Sequence, residues 1–195
     1  MTFKNLMTGN PSYVSRYQDA PNDQRQRADH LCWQLNQMDP SVGEARQKIL
    51  MQLFETTENL PIVAANFHCD YGFNVHFKGM TLLNSNVTIL DSSPVTIGSN
   101  AFIAPGVVIA CSGHAILPEQ RAAGIGTSAP ITLGDNVWIG ANSVVTAGVT
   151  IGTGSIIGAG SVVTHDIPAG VIAVGSPAKP VREINEADRV ELTPF

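Results

Sequence analysis

An aliphatic residue recurs at every sixth position through the second half of this chain. Ile97, Ile103 and Ile109 open the series, and Leu133, Ile139, Val145, Ile151, Ile157 and Val163 resume it in the same phase. A small residue usually follows: Gly98, Ala104, Ala110, Gly134, Gly140, Gly152, Gly158. Period six matches neither the 3.6-residue turn of a helix nor the two-residue alternation of a plain strand. It predicts a mainly β fold, a parallel β-helix of hexapeptide repeats in which each short strand sends one aliphatic side chain into a shared core.

Where the period fails, function is expected. Phe77, Leu83 and Ile89 extend the series backward, and an eight-residue step from Ile89 to Ile97 predicts a widened corner at Ser92-Ser93-Pro94. After Ile109 the in-phase positions hold Ala115, Arg121 and Thr127, so residues 113–130 are expected to leave the β-helix as a protruding loop. Long loops on a rigid scaffold often carry binding and chemistry. Three parts result: an N-terminal helical segment over 1–60, the hexapeptide β-helix over 61–178, and a C-terminal tail over 179–195, expected as a helical turn or two. Helices are predicted over Asn22–Asn36 and Ser41–Glu58, the second opened by a capping box of Ser41 and Glu44. These helices and the tail are the natural covers for the open ends of the β-helix.

Composition narrows the function classes. With 44% hydrophobic and 14% charged residues the chain has ample core material, and a net charge of −5 argues against nucleic acid or an anionic membrane as partner. No apolar run reaches a membrane span of ~20 residues, and the N-terminus does not read as a signal peptide. Cys32, Cys69 and Cys111 are odd in number and widely spaced, which predicts free thiols in a reducing cytoplasm.

Several segments carry a resemblance. Cys69 to Phe77 (CDYGFNVHF), Ser112 to Arg121 (SGHAILPEQR), Ile131 to Val145 (ITLGDNVWIGANSVV) and Val174 to Ile184 (VGSPAKPVREI), with the hexads between them, resemble the maltose/galactoside O-acetyltransferase family over nearly the whole chain. The resemblance implies a left-handed β-helix, a homotrimer with sites between subunits, and acetyl transfer from acetyl-CoA to a sugar or glycoside hydroxyl, without a metal. It implies His114 as general base. A histidine titrates near neutrality and can take the proton that an attacking hydroxyl must lose. By position alone, directly after Gly113 where the period gives way, His114 could equally serve a turn. Cys111 is read as a wall residue rather than the nucleophile of an acyl-enzyme.

Carried over residue by residue, the resemblance makes Asp70, Asn84 and Arg25 acceptor-binding. It makes Trp138, Ala141, Ala159, Thr164, His165, Lys179 and Arg182 donor-binding, the last two toward the nucleotide phosphates. The chain departs from the galactoside members at Ser92, where they have an acidic ligand, and at Leu82, where they have an aromatic residue. Asp91 is the candidate to compensate for Ser92, and Asp19 is the candidate for an N-terminal acidic ligand. The rival readings are transfer to a non-sugar hydroxyl or to a polysaccharide, lipo-oligosaccharide or antibiotic, a non-catalytic trimeric scaffold, and a zinc enzyme of the same fold. The last needs three imidazoles about one metal, and the central repeats hold only His114.

Overall fold

The hexads wind into a three-faced parallel β-helix in the computed structural model, which describes Phe3, Lys4, Met7 and residues 12–193. The first face stacks Ile62–Val63, Thr81–Leu83, Ala101–Ile103, Trp138–Ile139 and Ile156–Ile157, and ends in a hairpin of Val171–Gly175 and Ala178–Glu183. The second stacks His68–Cys69, Thr88–Leu90, Val108–Ala110, Val144–Val145 and Val162–Val163. The third stacks Val75–Phe77, Val95–Ile97, Ile131–Leu133 and Thr150–Ile151. Every hexad aliphatic from Leu83 to Val163 is at most 1% exposed. Burying each such side chain contributes about 1.5–3 kcal/mol, which is why one residue in six suffices to set the winding. Tight corners between faces use asparagine in the left-handed region (Asn66, Asn86, Asn100, Asn136, Asn142), the non-glycine residue best able to adopt it.

One edge of the prism is different. In the later coils cross-coil partners are eighteen residues apart, as in Trp138 with Ile156 and Val144 with Val162. In the early coils they are twenty apart, as in Ile62 with Leu82 and His68 with Thr88. The two extra residues lie each time between the second and third faces, in the steps from Cys69 to Phe77 and from Ile89 to Ile97. The predicted widened corner at Ser92 to Pro94 is therefore one of two. The excursion leaves from the same edge one coil later, so three consecutive coils open at one place.

The excursion is not an irregular loop. Ser112–His114 and Ile125–Ser128 pair antiparallel, with the short helix Pro118–Ala122 between them. A third strand, Tyr13–Arg16, comes from the N-terminal segment and pairs Tyr13 with Ser128 and Arg16 with Ile125. The N-terminal segment is thus not all helical. Its alternating Tyr13-Val14-Ser15-Arg16 buries every other residue part-way against the excursion.

Helices α1 (Asn22–Gln37) and α2 (Gly43–Phe54) close the first coil, as expected of them. Phe54 packs edge-on against Phe67 and Phe77. Asn36 bonds both backbone groups of Phe67, at 2.9 and 3.0 Å, and Arg46 donates to the Val63 carbonyl at 2.9 Å. Backbone groups that an open edge would leave unpaired are satisfied in this way. The capping box of Ser41 and Glu44 is absent. The Asp39 carboxylate takes the Ser41 N–H instead (2.9 Å), and α2 starts two residues later behind Val42. The tail also differs from expectation. Val171–Gly175 presents a strand edge, and Ala178–Glu183 covers it as an antiparallel strand before a single 3-10 turn at Glu186–Asp188. The β structure therefore runs past residue 178.

Candidate active site

The opened edge makes a cavity of about 290 Å³. Three successive coils supply its inner wall: Asp70, then Ser92, then Ser112 to His114. The N-terminal segment supplies the opposite wall with Tyr13, Tyr17 and Arg25. His114, Asp70 and Arg25, far apart in sequence, are brought together here. Arg25 Nη2 donates to Asp70 Oδ1 at 2.6 Å, and its guanidinium carbon lies 5.9 Å from the centre of the Tyr71 ring. The Asp70 side chain is 12% exposed and that of Arg25 45%, so the carboxylate is sheltered while the guanidinium opens to solvent. A carboxylate beside a guanidinium offers acceptors and donors together, which suits neighbouring hydroxyls.

His114 ends its strand opposite Gly126, which leaves room for the imidazole. The Tyr17 hydroxyl contacts the Nδ1 of that ring and lies 2.7 Å from its Nε2. All three tyrosines of the chain, Tyr13, Tyr17 and Tyr71, line this cavity, and the sequence reading assigned none of them a role. The β-like alternation at residues 13–16 was the available signal for Tyr13 and, through it, for Tyr17.

Beneath the cavity lies a buried hydroxyl cluster. Ser128 donates to the Cys111 carbonyl (3.2 Å), while Ser92 and Ser93 reach Ser128 Oγ at 2.8 and 2.6 Å. The Tyr13 hydroxyl joins through Ser92 and Ser128. Ser92 thus spends its hydroxyl on fastening the excursion to the corner. Asp91 does not compensate for it. Asp91 is fully buried, and its Oδ1 accepts the Tyr71 N–H at 2.8 Å, turned into the wall and away from the cavity. Asp19 also lies elsewhere, in a separate hollow beside Arg16, Gln18 and Ile125.

Burial, with the nearby Asp70 charge adding to it, pushes the Asp91 carboxyl up to about 7. The folded chain then keeps a proton that an exposed aspartate loses near pH 4. This raised folded-state value makes the contribution to stability full below about pH 4 and lost as pH rises through about 7. The denaturant midpoint should accordingly fall between pH 5 and pH 8, and Asp91→Asn should flatten that fall. Equal slopes in the two proteins would refute the assignment.

Asn84 does not join Asp70. It lies at the edge between the first and second faces, in a groove with Leu82, Phe102, Ala104 and Trp138. Trp138 is outward and 51% exposed, stacked in register over Phe102. Ala141 and Ala159 continue this edge on successive coils, joined by the Gly160 N–H to the Ala141 carbonyl at 2.8 Å. Thr164 and His165, exposed and bonded to each other at 2.9 Å, sit instead at the second-to-third edge. They stand two coils beyond the excursion, about 10 Å along the axis at the usual strand spacing. Lys179 and Arg182 are exposed on the final hairpin, and Arg182 grips Asp188 with both terminal nitrogens, at 2.7 and 2.6 Å. That grip holds the Asp188 carboxyl well below the usual carboxylate range. Apart from Lys179 and Arg182 on the final hairpin, the candidate site residues of one chain are therefore divided mainly between two edges, with the second face between them.

Cys111 is fully buried, its Sγ 3.9 Å from the Pro94 carbonyl, and burial pushes its thiol up to about 12. Among the described residues no group of three or more His, Cys, Asp or Glu is gathered as metal ligands.

A hexapeptide β-helix with a histidine-bearing excursion defines a class, the hexapeptide-repeat acyltransferases, and comparison with known proteins agrees. Residues 130–165 match the bacterial transferase hexapeptide family model (six repeats), and residues 17–58 match the maltose acetyltransferase hexapeptide capping motif. The galactoside O-acetyltransferase of Escherichia coli K12 is 42% identical over 167 residues, 86% of this chain and 82% of its own length. The crystal structure of a maltose O-acetyltransferase from Clostridium difficile 630 superposes with a TM-score of 0.88 at 36% identity, covering 95% of this chain and 99% of that one. A galactoside acetyltransferase solved in complex with coenzyme A gives 0.80 at 35% identity, covering 96% of this chain and 94% of that one.

The chain belongs to the maltose/galactoside O-acetyltransferase family. It is an acetyl-CoA-dependent O-acetyltransferase.

Proposed function

We propose that this chain acetylates a hydroxyl of a sugar or glycoside, with His114 as the general base. The observation that carries this reading is the meeting of His114 with the Arg25–Asp70 pair in one cavity. The pair orients the acceptor, and the imidazole takes the hydroxyl proton as the oxygen attacks the thioester carbonyl. The carbon–sulfur bond then breaks, and the same proton passes from the imidazolium to the departing sulfur. The burial of Cys111 and its raised thiol favour this direct attack over an acyl-cysteine, because the thiolate is the nucleophilic form.

Trp138, Ala141 and Ala159, with Thr164 and His165, serve the pantetheine arm in this reading. Small side chains leave backbone groups open to its amides, and Lys179 and Arg182 meet the phosphates. The division of site residues between two edges supports a homotrimer in which Asn84 and Trp138 of a neighbouring copy complete the His114 cavity. The outward residues of the first face form an apolar ladder, Ile62, Leu82, Phe102, Trp138, Ile156 and Ile172, whereas those of the third face are His76, Thr96, Thr132 and Thr150. An apolar ladder of that length favours burial against another subunit. The cytoplasm suits the three free, buried thiols. No helix among the described residues is long and apolar enough to cross a membrane.

Thiol release from acetyl-CoA against a panel of sugars and glycosides tests the reading, and inactivity on all of them with coenzyme A still bound would defeat it. Within that assay Arg25→Ala should raise the acceptor KM about tenfold or more, the worth of a charged hydrogen bond. The acetyl-CoA KM should stay unchanged.

A further inference from the structure

The Tyr17–His114 contact is left over by this mechanism. Tyr17 reaches the imidazole across 97 residues of sequence and is fixed independently of it. Its backbone N–H donates to the Gly124 carbonyl at 3.1 Å, on the excursion. Its ring lies over two of the excursion's glycines, where an added Cβ would come within 3.7 Å at Gly124 and 3.9 Å at Gly126. Gly126 is also the strand partner of His114, so Tyr17 and His114 flank the same residue. The phenol is thus held against the imidazole, with both ring nitrogens within reach of its hydroxyl.

A neutral imidazole carries one proton on either nitrogen, and the hydrogen bond made by one nitrogen decides which is free to act as base. We infer that Tyr17 is a positioning residue: its hydroxyl accepts the Nδ1 proton of His114 and keeps Nε2 as the bare nitrogen that meets the acceptor hydroxyl. It also steadies the Nδ1–H side when the ring becomes an imidazolium. The strand Tyr13–Arg16 therefore does more than thicken the excursion's sheet, because it delivers the group that sets the tautomer. The inference rests on His114 as the general base.

Tyr17→Phe keeps the ring over Gly124 and Gly126 and removes only the oxygen. It should lower kcat about tenfold to a hundredfold, the range of one hydrogen bond to a charged group, with the acceptor KM nearly unchanged. Nitrogen-15 spectra of the imidazoles, with the His114 signals assigned by their loss in His114→Ala, should show the Nδ1–H form in the wild type and a mixture of tautomers in Tyr17→Phe. An unchanged kcat, a wild-type Nε2–H form, or a faster reaction in Tyr17→Phe would overturn the inference, the last by making the phenol an obstacle to the acceptor. Full activity in His114→Ala would remove the general-base reading instead, while the tautomer spectra would still judge the Tyr17 contact on their own.

Discussion

Replacing His114 by alanine is expected to lower kcat about 10²–10⁴-fold, the usual worth of general acid–base assistance. The acceptor and donor KM values should move little, because the cavity walls at Asp70, Arg25 and Tyr71 stay in place. Cys111→Ala is expected to retain most of the activity. Its side chain is fully buried and its thiol sits near 12, so it offers no nucleophile at neutral pH. The contrast between the two variants is the informative measurement. Steady-state thiol release on both proteins supplies it, and equal losses would shift the chemistry to an acyl-cysteine. Cys111→Ala does remove buried volume, so its unfolding midpoint should drop while its kcat holds.

The second large effect concerns winding rather than chemistry. Gly140→Ala would place a Cβ 2.5 Å from the Ala159 nitrogen and 2.8 Å from the Ile157 carbonyl oxygen. Both are backbone atoms of the next coil, and the Gly140 N–H already donates to that carbonyl at 2.7 Å. Neither atom can move without lengthening the ladder along this edge. Overpacking of this kind costs about 1–3 kcal/mol and more where the obstacle is backbone. Gly43 is the matched control. It opens α2 with nothing within 4 Å of its added Cβ, so Gly43→Ala should leave stability unchanged or raise it by up to about 1 kcal/mol. Urea midpoints of both variants decide the matter, and a Gly140→Ala protein as stable as the wild type would show that the coils can part at this edge.

Period six made the core legible. Each aliphatic from Leu83 to Val163 faces inward as its spacing requires, because a strand that slips by one residue turns its apolar side chain outward. The excursion was legible as a failure of the period. Its internal order was not, since the pairing of Ser112–His114 with Ile125–Ser128 depends on a third strand nearly a hundred residues upstream. The eight-residue step from Cys69 to Phe77 could have been counted, and it would have placed Asp70 at the same edge as Ser92 and His114. The resemblance groups Asn84 with Asp70 as acceptor-binding, but residue type and resemblance carry no record of which prism edge a position occupies. Counting in coils puts them on different edges. Asp91 and Ser92 exchanged expectations for a local reason. At a widened corner the alternation of inward and outward positions breaks, and only the backbone path decides which of two adjacent residues turns in.

The three consecutive openings at one edge have a consequence for how such a chain can change. The groups that line the His114 cavity within one chain hang mostly outside the regular winding, on the early corners, the excursion and the N-terminal segment. The edge carrying Trp138, Ala141 and Ala159 belongs to the winding itself. Descendants of this chain can therefore lengthen, shorten or recolour the hanging parts without disturbing the ladder beneath. Under the proposed function, preference among acceptors is free to wander on a scaffold whose winding stays the same.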